Sequence, residues 1–222
     1  MTANNRKNTR ILLFLILYIR MTLTVSAGDF LFTSVNTAQG LSDNQIRYML
    51  QLSDGRMVFT TNGSVNLYDG VHFSYLHRKA ENVYPLKQYD GYYRIYQCGD
   101  SLLWIKDRHK LMCIHLPQEE YIADLDSYFR ERDIHEPVED LFVDHSGRIW
   151  LLTSRTLQEL KTGIRMALPE HEQRKLQDVN SDERAIYLFY HTGEVACYDP
   201  KTGKRLYERA AYPASERENF GY

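Results

Sequence analysis

The chain lacks most of the features from which a reaction can be inferred directly. It has three cysteines, Cys98, Cys113 and Cys197, an odd number that builds no disulfide framework and whose spacings match no zinc pattern. Buried thiols are the expectation; a bridge between Cys98 and Cys113, both placeable in one sheet, is the alternative. Net charge is −2, with acids and bases interspersed, so no basic stripe marks a nucleic-acid partner and no charge block marks a polyelectrolyte. The eight histidines are scattered, and none stands at metal-ligand spacing from another His or Cys. There is no Gly-x-Ser-x-Gly, no His-Glu-x-x-His and no phosphate-cradling glycine loop. Asp124 and Asp126 lack the rest of a calcium loop. Glu119 and Glu120 are adjacent, whereas sugar hydrolysis needs two carboxylates held roughly 5–9.5 Å apart across a substrate. No enzyme, catalytic residue, metal or cofactor is expected.

Long apolar runs are also missing after residue 27, where nothing approaches the roughly 20 residues that cross a bilayer. Before it, Arg6, Lys7 and Arg10 precede the apolar run Ile11 to Ile19, and Val25-Ser26-Ala27 supplies small residues before Gly28. That is the order of a secretory signal peptide, so residues 1–27 are expected to address the rest to the periplasm. Arg20 interrupts the apolar stretch, and an uncleaved anchor is the alternative.

What the sequence does have is a repeat. Val58, Trp104, Trp150 and Tyr187 align on one position, 46, 46 and 37 residues apart. Ten residues after the first three stand Tyr68, Ile114 and Leu160; after the fourth the offset is eleven, to Tyr198. Each copy consists of short β-rich runs divided by turn residues, among them Asp54-Gly55, Asn62-Gly63 and Asp144 through Gly147. Units of about 40–50 residues built as four-stranded meanders have the size of β-propeller blades. A lone sheet cannot bury both faces, so Trp104 and Trp150 are expected between stacked sheets. The fold class is therefore all-β: about four blades of four antiparallel strands, near 36–76, 93–116, 138–168 and 176–209, within a domain of 28–222. One short helix is expected in 121–133, where Ile122, Leu125 and Phe129 have helical spacing.

"NTAQGLSDNQIRYMLQLSDGRMVFTTNGSVNLYDG", 36–70, resembles the two-component regulator propeller repeat, through Gly40-Leu41-Ser42, Asp54-Gly55, Thr60-Thr61, Gly63 and Tyr68-Asp69-Gly70. "VEDLFVDHSGRIWLLT", 138–153, resembles it through Asp144, Gly147, Trp150 and Thr153, while Val58 stands where an aromatic is usual. The resemblance implies the periplasmic sensor region of hybrid two-component regulators of gut bacteria, which bind oligosaccharide fragments. Such proteins continue through more blades, an immunoglobulin-like domain, a membrane helix and a histidine kinase, none of which is found in these residues. The ring is expected to be incomplete, with "DFLFTSV", 29–35, the strand that would complete a last blade and 214–222 a linker.

Candidate ligand residues follow from where loops gather on a propeller. They are Asn62, Asp107-Arg108-His109, Arg155 and His191 between second and third strands, and Tyr92 and Tyr93 before a first strand. Two function classes stand: a sensing propeller whose partner is an oligosaccharide, and a secreted binding or scaffolding module that oligomerises, for instance as a homodimer through its propeller edges. A propeller-type lyase or glycosidase ranks below both.

Overall fold

A computed structural model of the chain describes residues 12–14, 34–87, 93–168 and 176–210. The chain divides into two compact units, Met1–Ser34 and Val35–Tyr222, and every sheet belongs to the second. Apart from residues 12–14, the expected signal peptide lies outside the described residues, as do nearly all of the strand at 29–35 and the terminal 214–222.

Four antiparallel sheets follow one another along the chain. The first is the meander β1 (Tyr48–Gln51), β2 (Met57–Thr60), β3 (Ser64–Tyr68) and β4 (Phe73–His77). The second holds β5 (Tyr84–Pro85), β6 (Arg94–Cys98), β7 (Leu102–Asp107), β8 (Lys110–His115) and β9 (Glu120–Tyr121). Here the fourth-strand place is split, because β5 pairs with one end of β8 and β9 with the other. This sheet therefore reaches beyond the 93–116 anticipated for it. The third is β10 (Asp140–Val143), β11 (Ile149–Leu152), β12 (Thr156–Glu159) and β13 (Arg165–Ala167). The fourth is β14 (Leu176–Ser181), β15 (Ile186–Tyr190), β16 (Glu194–Tyr198) and β17 (Arg205–Ala210).

Strand register explains the repeat. Met57 pairs with Tyr68, Leu103 with Ile114 and Ile186 with Tyr198, and the Leu160 amide bonds the Ile149 carbonyl. The offset of eleven in the fourth copy is one extra residue in the turn closed by the Gly193 amide on the Tyr190 carbonyl.

Alternation along each strand sends one set of side chains back to the preceding sheet and the other forward to the next. Val58 points forward into a core shared with Leu103, Ile105 and Ile114 of the second sheet. Trp104 points forward into a core with Leu141, Ile149 and Leu151 of the third. Trp150 points forward among Ile186, Leu188 and Ala196 of the fourth. Both tryptophans are fully buried. On the fourth sheet the same register gives Tyr187 the forward face, where it shares cross-strand rows with Phe189, Val195, Cys197 and Tyr207. Among the described residues no core cluster joins the fourth sheet to the first.

The helix within 121–133 is Leu125–Arg130, started by Asp124, whose carboxylate accepts the Ser127 amide at 2.9 Å. Its Leu125 and Phe129 enter the core between the second and third sheets. The same seam holds a buried ion pair from Lys106 on β7 to Asp140 on β10. At the third–fourth seam Gly203 has φ +70°, and a Cβ there would lie 2.1 Å from the Arg165 carbonyl oxygen. Only glycine lets these two backbones approach so closely. None of the three cysteines is bridged. Cys98 on β6 and Cys113 on β8 flank β7, two strand spacings apart, which is beyond disulfide reach. Among the described residues no helix is long and apolar enough to cross a membrane.

Candidate functional site

In a meander, the residue before the first strand, the turn between second and third, and the residue after the fourth share one end of the sheet. In the first sheet these are Arg47, whose amide bonds the Thr60 carbonyl, Asn62 in the β2–β3 turn, and Arg78, whose amide bonds the Gly63 carbonyl. At the matching end of the second sheet stand Tyr93 before β6 and Asp107 closing β7, and Tyr121 reaches the same space from β9, which pairs with the other end of β8. Together with Ser64 they line a narrow cleft, open to solvent and about 20 Å³ in volume, whose floor is Val65, Ile105 and Met112. The floor belongs to the apolar core between the two sheets, which fixes the polar rim.

Two guanidiniums flank one carboxylate here. Arg47 Nη1 lies 3.8 Å and Arg78 Nη1 3.7 Å from Asp107 Oδ2, both beyond hydrogen-bond reach. Arg47 Nη2 donates to Asn62 Oδ1 at 3.1 Å. The lining residues thus carry one net positive charge. Tyr93 packs its ring 6.2 Å from that of Tyr48. Burial raises the Tyr93 hydroxyl pKa, with Thr60 hydrogen bonding opposing and Asp107 reinforcing the shift. Burial likewise pushes Tyr121 up to about 12, with Tyr93 adding to it. Both phenols are therefore neutral at ordinary pH and can donate or accept a hydrogen bond beside an aromatic face.

Of the residues anticipated from sequence, the structure brings Asn62, Tyr93 and Asp107 to this cleft. Arg108 and His109 are exposed in the adjoining β7–β8 turn, where Arg108 has φ 55° and the His109 carbonyl accepts the Leu86 amide. Arg155 is exposed in the β11–β12 turn, 3.9 Å from Glu136. It stands beside a separate opening of about 180 Å³ lined by Asp133, His135, Thr156 and Arg165. His191 is exposed in the β15–β16 turn and joins neither. Tyr92 lies outside the described residues. Arg47, Arg78 and Tyr121 went unanticipated; counting meander ends would have placed the two arginines but not Tyr121, whose strand pairs with the far end of β8. The adjacent acids separate: Glu119 pairs with Arg56 at 2.8 Å while Glu120 sits in β9.

A larger opening, about 370 Å³, lies among the first strands β6, β10 and β14, with Arg94, Tyr96, Lys106 and Asp178 on its walls. Its buried cation, Lys106, is already committed to Asp140. Among the described residues no group of three His, Cys, Asp or Glu side chains is arranged to hold a metal.

No protein-family model and no curated protein sequence matches the chain. Among solved structures it is similar to the extracellular domain of the hybrid two-component system BT3049 of B. thetaiotaomicron, at 15% identity and a TM-score of 0.46. That match covers 78% of this chain and 26% of that one. It is also similar to the extracellular domain of the hybrid two-component system BT4673 of the same organism, at 13% identity and a TM-score of 0.38, over 78% of this chain and 30% of that one. A third likeness is to the C-terminal WD40 domain of Sif2, at 11% identity and a TM-score of 0.42, over 74% of this chain and 46% of that one. The chain thus spans less than half the length of each of these structures.

Proposed function

We propose that the chain is the ligand-sensing part of a periplasmic two-component receptor and that an oligosaccharide fragment binds in the cleft between its first and second sheets. The observation that carries this is the convergence of planar donors and an aromatic face, Arg47, Asn62, Arg78 and Tyr93, on sheet ends held by a common apolar core. Loops on a rigid scaffold are where binding residues concentrate, and a sugar ring asks for a stacking face ringed by hydrogen-bond donors. The role is recognition, without catalysis. Calorimetric titration with a panel of plant and host oligosaccharides tests it: one class should bind, and Tyr93→Ala should weaken it at least tenfold. Equal affinity in the variant would place the ligand elsewhere.

A second reading, an oligomerising secreted module, is favoured by one observation. The forward face of the fourth sheet leaves Phe189 37% and Tyr207 43% exposed, while the second-strand counterparts of Phe189, Thr60, Lys106 and Leu152, are buried. Light scattering separates the two: a defined oligomer that Phe189→Lys dissociates would support the module.

A further inference from the structure

We infer that the cleft selects a ligand bearing a negative charge, a carboxylate or sulfate on a sugar, which Arg47 and Arg78 receive while Asp107 serves as their internal stand-in. The inference rests on the oligosaccharide proposal and goes beyond it by naming the charge that is recognised.

The cleft holds arginine donors that no carboxylate bonds directly. A guanidinium offers five N–H groups in a planar fork and binds a carboxylate best through two parallel bonds of about 2.7–2.9 Å. Elsewhere in this protein an arginine reaches a carboxylate at that distance through a single bond, as Arg148 Nε does with Asp144 at 2.7 Å. At the cleft neither does: Asp107 sits between two forks at 3.7 and 3.8 Å, near both and bonded to neither. Asp107 has acceptor sites for both guanidiniums, one before β1 and one after β4, yet at these distances it bonds neither, so the donors facing it are left to an incoming anion. The side chains of Arg47 and Arg78 are 48% and 31% exposed, so an incoming anion can reach both, whereas Asp107 at 14% is held back on the second sheet.

Solvent-exposed ion pairs at such distances contribute little, so an anion that makes direct bonds displaces little in doing so. The net positive lining would attract that anion, and Asp107 keeps the two arginines facing the opening when it is absent. Tyr93, neutral because burial raises its pKa, lies alongside to contact the ring that carries the charge. A neutral sugar would leave one guanidinium without a counter-ion in the closed complex, which is the basis of selectivity.

The test titrates the full chain with sulfated chondroitin disaccharides and oligogalacturonates, with neutral xylo- and arabino-oligosaccharides of equal length, and with sodium sulfate alone. An acidic oligosaccharide should bind, more weakly as salt rises, and Arg47→Ala or Arg78→Ala should each cost at least tenfold, Arg78→Lys less. Asp107→Asn should tighten binding several-fold, because the competing carboxylate is gone. Circular dichroism and thermal melting establish that each variant is folded. Loss of binding in Asp107→Asn would overturn the stand-in role. Neutral oligosaccharides binding as tightly as acidic ones, with Tyr93→Ala still deleterious, would overturn charge selection and leave the sugar proposal standing. Sulfate competing fully while no sugar, acidic or neutral, gains over it would uphold the anion site and overturn the sugar proposal. No binding by any of them would overturn both.

Discussion

The second and third sheets place a tryptophan at the same point of the same register and hold it in different ways. Trp150 donates its indole N–H to Asp144 Oδ2 at 3.0 Å, and the same carboxyl group accepts Arg148 Nε at 2.7 Å and the amides of Ser146 and Arg148 at 2.9 Å. One aspartate thus organises a turn whose Gly147 has φ 76°, and anchors the core residue beyond it. In the second sheet Cys98 occupies the place of Asp144, and the Trp104 N–H has no hydrogen-bond partner among the described residues. That sheet compensates with packing: Phe129 stacks on Trp104 at 6.2 Å and 9°, and Tyr128 meets its edge at 5.8 Å. The inserted helix therefore does by area what the aspartate does by hydrogen bonding. Degeneracy in a repeat need not loosen it if another element fills the same volume.

The largest effect tests what the two sheets share. Lys106→Met would strip the buried Asp140 carboxylate of its countercharge, and removing one partner of a buried pair costs about 3–5 kcal/mol. Adding Asp140→Leu should return most of that loss in urea unfolding, because the carboxylate no longer has to be solvated. If the double variant stays as unstable as the single one, the seam depends on the pair itself and not on relieving an isolated charge.

Next comes the direct comparison of the tryptophans. Trp150→Phe and Trp104→Phe remove similar volume from fully buried sites. Only the first leaves a nearly buried carboxylate short of a donor, and bonds to charged groups contribute about 1.5–3 kcal/mol. Trp150→Phe should therefore lose more stability by about that margin. Equal losses would show that the Asp144 bond does not distinguish the sheets.

Alkali should act on one core before the other. Burial pushes Tyr96 on β6 and Tyr128 in the helix up to about 12 from an ordinary 10, and raises Tyr198, in the core that holds Trp150, by less. The neutral phenols favour the folded state, so their contribution is complete below pH 10 and is lost as pH rises from 10 through 12. In single-tryptophan variants, the emission maximum of Trp104 should move to the red in that window before that of Trp150. A simultaneous shift would mean that the sheets do not loosen separately.

Much of this was written in the chain as spacing. A ten-residue offset is a hairpin register, so the aligned positions, the four meanders and the helix spacing of Leu125 and Phe129 could be read before any coordinates. The split outer strand of the second sheet could not, because two-residue strands such as β5 and β9 leave no periodic trace. Nor could the Lys106–Asp140 pair, since a lysine amid apolar residues gives no hint of a partner 34 positions on. At the cleft, Asn62, Tyr93 and Asp107 were legible as loop residues. Arg47 and Arg78 were hidden because they flank strands and belong to no turn motif.

The smallest effect concerns the helix that substitutes for the missing aspartate. Hydrogen bonding from the Ser127 hydroxyl, and then from its backbone amide, holds the Asp124 carboxyl below its usual pKa. A depressed carboxylate stabilises the fold above its unfolded pKa near 3.9 and loses that contribution as pH falls through its folded value. Asp124→Ala removes the cap, so the melting temperature near neutral pH should fall slightly. The acid sensitivity of the helix should fall with it, because no titrating cap is left. The comparison sharpens in where the change is felt: Phe129 is carried by this helix and stacks on Trp104, whereas Trp150 lies in the next core. Trp104 emission should therefore respond to the variant and to mild acid, and Trp150 emission should not. If Trp104 is indifferent to losing the cap, packing from the helix is not what replaces the indole bond, and the second sheet is held by its own strands alone.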